Sequence, residues 1–400
     1  MSTDADISGD LAVDGVQPSR TLRPRALEEI AAALQDGAAR EERVVVRGAG
    51  SKMDWGNPPE ALDLLIDLRE YREVIRHNPA DLTVAVQAGM PLADLQRRLA
   101  ESGQRLAIDE VVPHTTIGGL VATGLSGPLR HLYGAVRDLL IGVTVVRADG
   151  TVARSGGQVV KNVAGYDLCK LFTGSYGTLG IIAEATFRLH PLPRSASYVC
   201  ADAASPADLS LMIDRLRTSQ LVPSAIEVHA SVAGSCELVT LFEGEPPSVA
   251  ARSEIAREML SPHASVDATA PPWWGAIPHG SVALKLTVPA SEVADSISYA
   301  SEALIRQDLD GELSAAAGIG VIMLAIDEMD TDDDAVTLIS ELRAHCEALG
   351  GALVVLRAPH RLKSLVDVWG STGELSLMQA IKAQLDPSRR LAPGRFVGGI

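Results

Sequence analysis

Val44-Val45-Val46-Arg47-Gly48-Ala49-Gly50-Ser51-Lys52 is the stretch on which the fold turns: a β-branched run that stops in small residues, a hydroxyl and a lysine. β-Branched side chains favour strand. Residues with little or no side chain let backbone N–H groups approach an anion. A strand feeding such a loop suits a diphosphate, although an ordinary turn has the same composition and the neighbouring sequence must decide. The dinucleotide fingerprint of a βαβ unit is not met. Met53 stands where its third glycine belongs, and Asp54-Trp55-Gly56-Asn57-Pro58-Pro59 cannot open the crossover helix.

On either side the chain alternates. Leu27, Ile30 and Leu34 recur at helical spacing, residues 82–87 read as strand, and Leu92, Leu95 and Leu99 return to helical spacing. Next comes Pro113-His114-Thr115-Thr116-Ile117-Gly118-Gly119-Leu120-Val121-Ala122-Thr123-Gly124, hydroxyls and paired glycines before a short apolar helix, with Gly127 beyond. Helix starts carry unpaired N–H donors, so this segment is a second phosphate candidate. Strands at 140–147 and 151–154 are joined through Asp149-Gly150, a hairpin signal. A third glycine-rich stretch, Lys161-Asn162-Val163-Ala164-Gly165-Tyr166-Asp167-Leu168 and then Gly174-Ser175-Tyr176-Gly177-Thr178-Leu179-Gly180-Ile181-Ile182, enters a strand at 179–189. His190-Pro191-Leu192-Pro193 then stops helix and regular sheet alike, and the domain boundary is placed there.

The second half reads as α+β, with strands at 282–288 and 321–326 and helices marked by Val293, Ile297, Ala300 and Leu304 and by Val336, Ile339 and Leu342. Residues 262–278 read as a long irregular loop, the length of a lid. Its Trp273-Trp274 pair either stacks on a ligand or anchors the loop, anchoring being the commoner use. Residues 1–20, with four aspartates and no apolar periodicity, read as a disordered leader.

A formal charge of −16 and the lack of a basic block argue against nucleic-acid binding. Four scattered cysteines suggest neither a disulfide framework nor a metal cluster and fit a reducing cytosol. No apolar run reaches bilayer length, so membrane contact is expected only through a partner.

The three motifs in this order resemble the vanillyl-alcohol-oxidase-type (PCMH-type) FAD-binding domain. Within it, Gly165-Tyr166-Asp167 and Gly174 to Gly180 are similar to the FAD-binding subunits of bacterial glycolate oxidase, whose catalytic sister subunits usually have Glu where Tyr176 stands. The resemblance is strong over 21–193, and Leu385-Asp386-Pro387 through Pro393-Gly394-Arg395 is similar to the family's terminal segment. It implies an α+β chain: a PCMH-type two-subdomain FAD-binding domain at 21–193, then a smaller ferredoxin-like cap at 194–400 whose C-terminal segment returns to the flavin domain. It also implies that Arg47, Gly48, Ala49, Gly50, Ser51 and Lys52 wrap the FAD diphosphate. Pro113, His114, Thr115, Thr116, Gly118, Gly119, Thr123, Gly124 and Gly127 would line the diphosphate and ribityl path, and Gly177, Thr178, Gly180, Ile181 and Ile182 the adenosine or flavin. The first loop has no histidine, so FAD is expected to be non-covalent. Ala392 stands where the family usually has Asn, which removes one expected amide contact near the flavin.

The resemblance further implies a 2-hydroxy-acid substrate and two partners, a second FAD-containing catalytic subunit and an iron–sulfur subunit. A stand-alone oxidoreductase of a sugar or alcohol, and a scaffold stabilised by its FAD, remain alternatives. Flavin chemistry needs a base for the substrate hydroxyl and a cation for its carboxylate. His279, Lys285, His360 and Arg361 are the second-half candidates, and none is singled out as catalytic. Tyr176 is either a flavin contact or a core tyrosine. The histidines lack compact ligand spacing, and no metal is expected.

Overall fold

The computed structural model describes residues 11–157, 167–232, 234–326 and 332–400. Helix α1 (Leu27–Ala39) buries Ile30, Ala33 and Leu34, an i, i+3, i+4 stripe, against a small parallel sheet. That sheet has β1 (Arg20–Leu22), β2 (Val44–Arg47) and β3 (Leu64–Asp67) in the order β1-β3-β2. A second, antiparallel sheet follows, with β4 (Val74–Asn78), β5 (Thr83–Gln87), β7 (Leu140–Val146), β8 (Val152–Gly156) and β9 (Ile181–Arg188) in the order β4-β5-β9-β7-β8. Helices α2 (Leu92–Ala100) and α3 (Ile117–Thr123) cover it, burying Leu92, Leu95, Leu99, Ile117, Leu120 and Val121. The two sheets share a core made from Val44, Ile66, Ala88, Val146, Ile181 and Ala183. Gly150, at φ +81°, turns the β7–β8 hairpin where Asp149-Gly150 signalled it.

Two expectations fail in this half. Residues 11–20 are not a free leader. Val13 is fully buried with Val45, Leu62 and Leu65, and Asp14 pairs with buried Lys363 at 2.7 Å. One well-placed valine and one buried ion pair suffice to fix a segment whose composition suggests disorder; residues 1–10 lie outside the described residues. Nor do Pro191 and Pro193 exclude pairing, since β6 (Gln104–Arg105) and β10 (His190–Pro191) form a two-residue antiparallel ladder. The Leu192 N–H closes it on Gly103 O at 2.9 Å, so no donor is asked of the proline nitrogen.

The second half carries an eight-stranded antiparallel sheet, where a smaller domain was expected. Its strands are β11 (Ser195–Asp202), β12 (Ala225–Ser231), β13 (Cys236–Gly244), β14 (Ser265–Asp267), β15 (Val282–Thr287), β16 (Gly311–Ala316), β17 (Val321–Ile326) and β18 (Ala352–Arg357). The order is β14-β11-β13-β12-β16-β17-β15-β18. With the helices Pro206–Thr218, Pro246–Leu260, Val293–Arg306 and Asp332–Ala348, the chain runs βαββαβ twice. Each unit uses the strand order 4-1-3-2, and the units join through their second strands, β12 and β16. The four helices pack on one face over Val228, Phe242, Leu284, Leu304, Leu324 and Leu342. The other face meets the N-terminal half.

The 262–278 loop is partly sheet, because Ser265–Asp267 adds an edge strand. Trp273 stacks on His229 and donates its indole N–H to Glu237 at 2.9 Å, while Trp274 packs edge-on against Tyr198. Both rings anchor the loop to the sheet.

Candidate flavin site

A cavity of about 100 Å³ opens where the two N-terminal sheets meet. Its walls come from β2 and the loop after it (Val45 to Met53), from the start of α3 (Thr116, Gly118, Gly119, Ala122, Thr123), from the entry to β9 (Tyr176, Gly177, Gly180, Ile181, Ile182), from Leu68 and Ala88, and from Arg395. Three stretches far apart in sequence are thereby brought together, and fourteen of the residues expected to hold FAD line the cavity. Six do not. Thr115 stands behind Lys52 and accepts from its ammonium at 2.7 Å. Thr178 is buried and donates to Ser175 O. Gly124 ends α3 at φ +62°, Gly127 packs on Asp109 and Val111, and Pro113 and His114 belong to the approach to α3. Lys161 to Tyr166 lie outside the described residues.

The donors that suit a phosphate are not at the helix start. Ile117 N–H bonds Met90 O, Gly118 N–H bonds Ala88 O at 2.7 Å, and Gly119 N–H reaches the Thr116 hydroxyl at 3.4 Å. The first turn is paired with the preceding strand end and its own cap, which corrects the expectation of free donors there. In the loop after β2, by contrast, the backbone N–H groups of Gly48 to Lys52 donate to no protein acceptor among the described residues. A run of unpaired donors along a cavity wall is an anion cradle. It needs glycine: a Cβ on Gly48 would stand 2.0 Å from Thr116 Oγ1, and Gly50 sits at φ +86°. Lys52 supplies charge beside the cradle, and burial brings its pKa down to about 8. Small residues, unpaired donors and one buried ammonium fit a dinucleotide diphosphate, and the apolar Val45, Leu68, Ala88 and Ile181 fit its adenosine.

Tyr176 is placed where either of the readings that the sequence left open can apply. It lines the cavity and is also core, edge-on to Trp369 at 4.7 Å and stacked on Phe396 at 5.5 Å. It adopts φ +54° between Gly174 and Gly177, also at positive φ. The C-terminal segment completes the wall. Buried Lys382 donates to Thr178 O, Asp386 and Leu391 O, and Leu391 pairs alongside Val44. Ala392 has φ +44°, a left-handed backbone that asparagine tolerates better than alanine.

The sheet of the second half closes over this region. Ala283, Met323, Leu356 and Val354 form one apolar cluster with Trp55, Leu125 and Tyr176. Lys285 is partly buried on the same sheet face, paired in register with Met323 and Val354. Burial, and after it the like charge of Arg130, lowers its pKa, and it enters no ion pair among the described residues. His279, His360 and Arg361 are exposed. A cluster that sequence did not signal lies elsewhere in the same interface. Arg105 holds Glu243 through two bonds of 2.7 and 2.8 Å and reaches Tyr133, while burial raises Asp109 to about 6 and Glu227 well above the carboxylate range. These residues are scattered singly along the chain and meet only across the interface.

Residues 18–156 match the FAD binding domain family. The chain is 37% identical over 174 residues to glycolate oxidase subunit GlcE of Escherichia coli, a match spanning 42% of this chain and 47% of that relative, under half its length. It is 26% identical to glycolate oxidase subunit GlcD of Bacillus subtilis over 95% of this chain and 89% of that one. A D-lactate dehydrogenase of Saccharomyces cerevisiae is 29% identical over 56% of this chain and 40% of its own length. Among solved structures, alkyldihydroxyacetonephosphate synthase aligns over 95% of this chain and 77% of its own at a TM-score of 0.71 and 19% identity, a likeness of fold alone. No helix of the described residues is long and apolar enough to cross a membrane. Residues 18–156 are thus similar to an FAD binding domain, and the chain is an FAD-dependent oxidoreductase.

Proposed function

We propose that this chain is the non-covalent FAD subunit of a glycolate or D-2-hydroxy-acid dehydrogenase complex, working beside a second FAD-containing subunit and an iron–sulfur subunit. The observation that carries the substrate class is Lys285, a partly buried lysine without an anion among the described residues, in register with Met323 of the apolar cluster that Tyr176 shares. Burying a cation is costly unless something pairs with it, and a carboxylate arriving there would do so. A sugar or simple alcohol would not, which disfavours the stand-alone alternative. When bound, FAD supplies the hydride acceptor. The chain's own residues would seat the diphosphate at Gly48 to Lys52 and hold the acid's carboxylate at Lys285. His279 and His360, offered by sequence as bases, are exposed. That favours a base supplied by a partner subunit, with the acid's carboxylate held at Lys285 of this chain.

Anaerobic mixing of the purified flavoprotein with glycolate or D-lactate, alone and with partner subunits, tests the reading. Bleaching of the flavin band that needs the partners, and that weakens at least tenfold in Lys285→Met, is expected. Flavin that stays oxidised with partners present would rule it out, and flavin retained after denaturation would rule out non-covalent attachment.

A further inference from the structure

We infer that Arg395 is a fixed positive charge on the wall of the flavin cavity that favours the cofactor in its reduced form. Arg395 lines the cavity and is 4% exposed, yet it enters no ion pair among the described residues. Its guanidinium is held in place from one side only: Nη2 donates to Met53 O at 2.9 Å and to Trp55 O at 2.6 Å. Nε is buried with no acceptor. A buried cationic donor with an unused N–H is costly to keep unless a ligand supplies the acceptor.

The surroundings indicate which part of the ligand that is. The diphosphate already has the unpaired N–H groups of Gly48 to Lys52 and the Lys52 ammonium. Arg395 instead stands with Tyr176, close enough to influence its hydroxyl, and its carbonyl accepts the indole N–H of Trp369. Tyr176, Trp369 and Phe396 form a mutually packed aromatic group, and Tyr176 reaches the interface where a substrate would meet the ring. Of the three only Tyr176 lines the cavity, and an aromatic side chain held there by Trp369 and Phe396 suits a flat ring system rather than a phosphate. Uptake of a hydride, one proton and two electrons, adds one negative charge to that ring. A fixed guanidinium interacts with this added charge and has far less to gain from the neutral oxidised ring, so it separates the affinities of the two states.

The test is the midpoint potential of the FAD-loaded chain, by dye equilibration, beside the dissociation constant of oxidised FAD. Arg395→Met is expected to lower the reduced-to-oxidised affinity ratio at least tenfold, about 30 mV for a two-electron couple, and Arg395→Lys by less. Should Arg395→Met fail to hold FAD, Arg395→Gln keeps donors for Met53 and Trp55 without the charge and is judged by the same shift. Equal loss of affinity in both redox states, the mark of a diphosphate contact or a purely structural clamp, would overturn the inference, as would an unchanged potential.

Discussion

Lys52 links sequence to chemistry at the scale of a single residue. Its ammonium donates to Thr115 and lies beside the loop whose N–H groups have no protein acceptor. Burial lowers its pKa to about 8. Between about pH 8 and the ordinary lysine range, the unfolded chain binds a proton that the folded chain does not, so the stability of the cofactor-free protein rises with pH across that window. Cofactor binding runs the other way, because the diphosphate needs the charged form: FAD affinity should fall as pH rises through about 8. Replacing Lys52 by Met should weaken FAD roughly 10- to 100-fold, in line with ~1.5–3 kcal/mol for a charge-assisted hydrogen bond, and should flatten that inflection. Fluorescence titration across the window decides it, and a variant that keeps the inflection would acquit Lys52.

At the scale of elements, the site depends on how closely the end of β2 approaches the start of α3. Gly48 faces Thr116 so closely that a Cβ would fall 2.0 Å from its hydroxyl and 2.9 Å from its Cβ. Thr116 is also the N-cap, accepting from Gly119 N–H. Gly48→Ala should therefore cost about 1–3 kcal/mol by overpacking and release most of the FAD. Thr116→Ala should cost about 1 kcal/mol through the lost cap. In the double variant the smaller side chain at 116 makes room for the new methyl, so the double variant should lose less than the sum of the two single losses. Denaturant unfolding of the four proteins checks this; strictly additive losses would mean that strand and helix do not press on one another here. The glycines were legible in the sequence because small residues after a β-branched strand have few uses. Their partner was not, since Thr116 lies 68 positions beyond Gly48.

For the whole molecule, the joint between the two halves matters most. Arg105 of β6 and Glu243 of β13 form a buried bidentate pair, their side chains 12% and 6% exposed. Removing one partner strands the other charge, so Glu243→Ala should cost about 3–5 kcal/mol. The double variant with Met at both positions should lose much less. Thermal unfolding followed at the flavin band and by far-ultraviolet circular dichroism tests this, and a Glu243→Ala protein as stable as the parent would show that the halves are held by apolar packing alone. That packing is considerable: Trp55, Leu125 and Tyr176 of one half meet Ala283, Met323 and Leu356 of the other.

The sequence by itself determined the elements and the kind of site. Helical stripes, β-branched runs and glycine-rich stops are local signals, and each reports the backbone its own residues require. They marked β2 and its loop, α1 to α3, the β7–β8 hairpin and the flavin-type order of the motifs. The sequence did not reveal that the second half is one βαββαβ pattern used twice, because the units share topology through strand order rather than through a visible repeat. Nor did it show that the start of α3 has its donors already paired, that Asp14 is buried on Lys363, or that Arg395 ends on the cavity wall with an unused N–H. Only the tertiary structure decided these, because hydrogen-bond satisfaction and burial of charge are properties of what surrounds a residue, and those surroundings come from chain segments tens to hundreds of residues away.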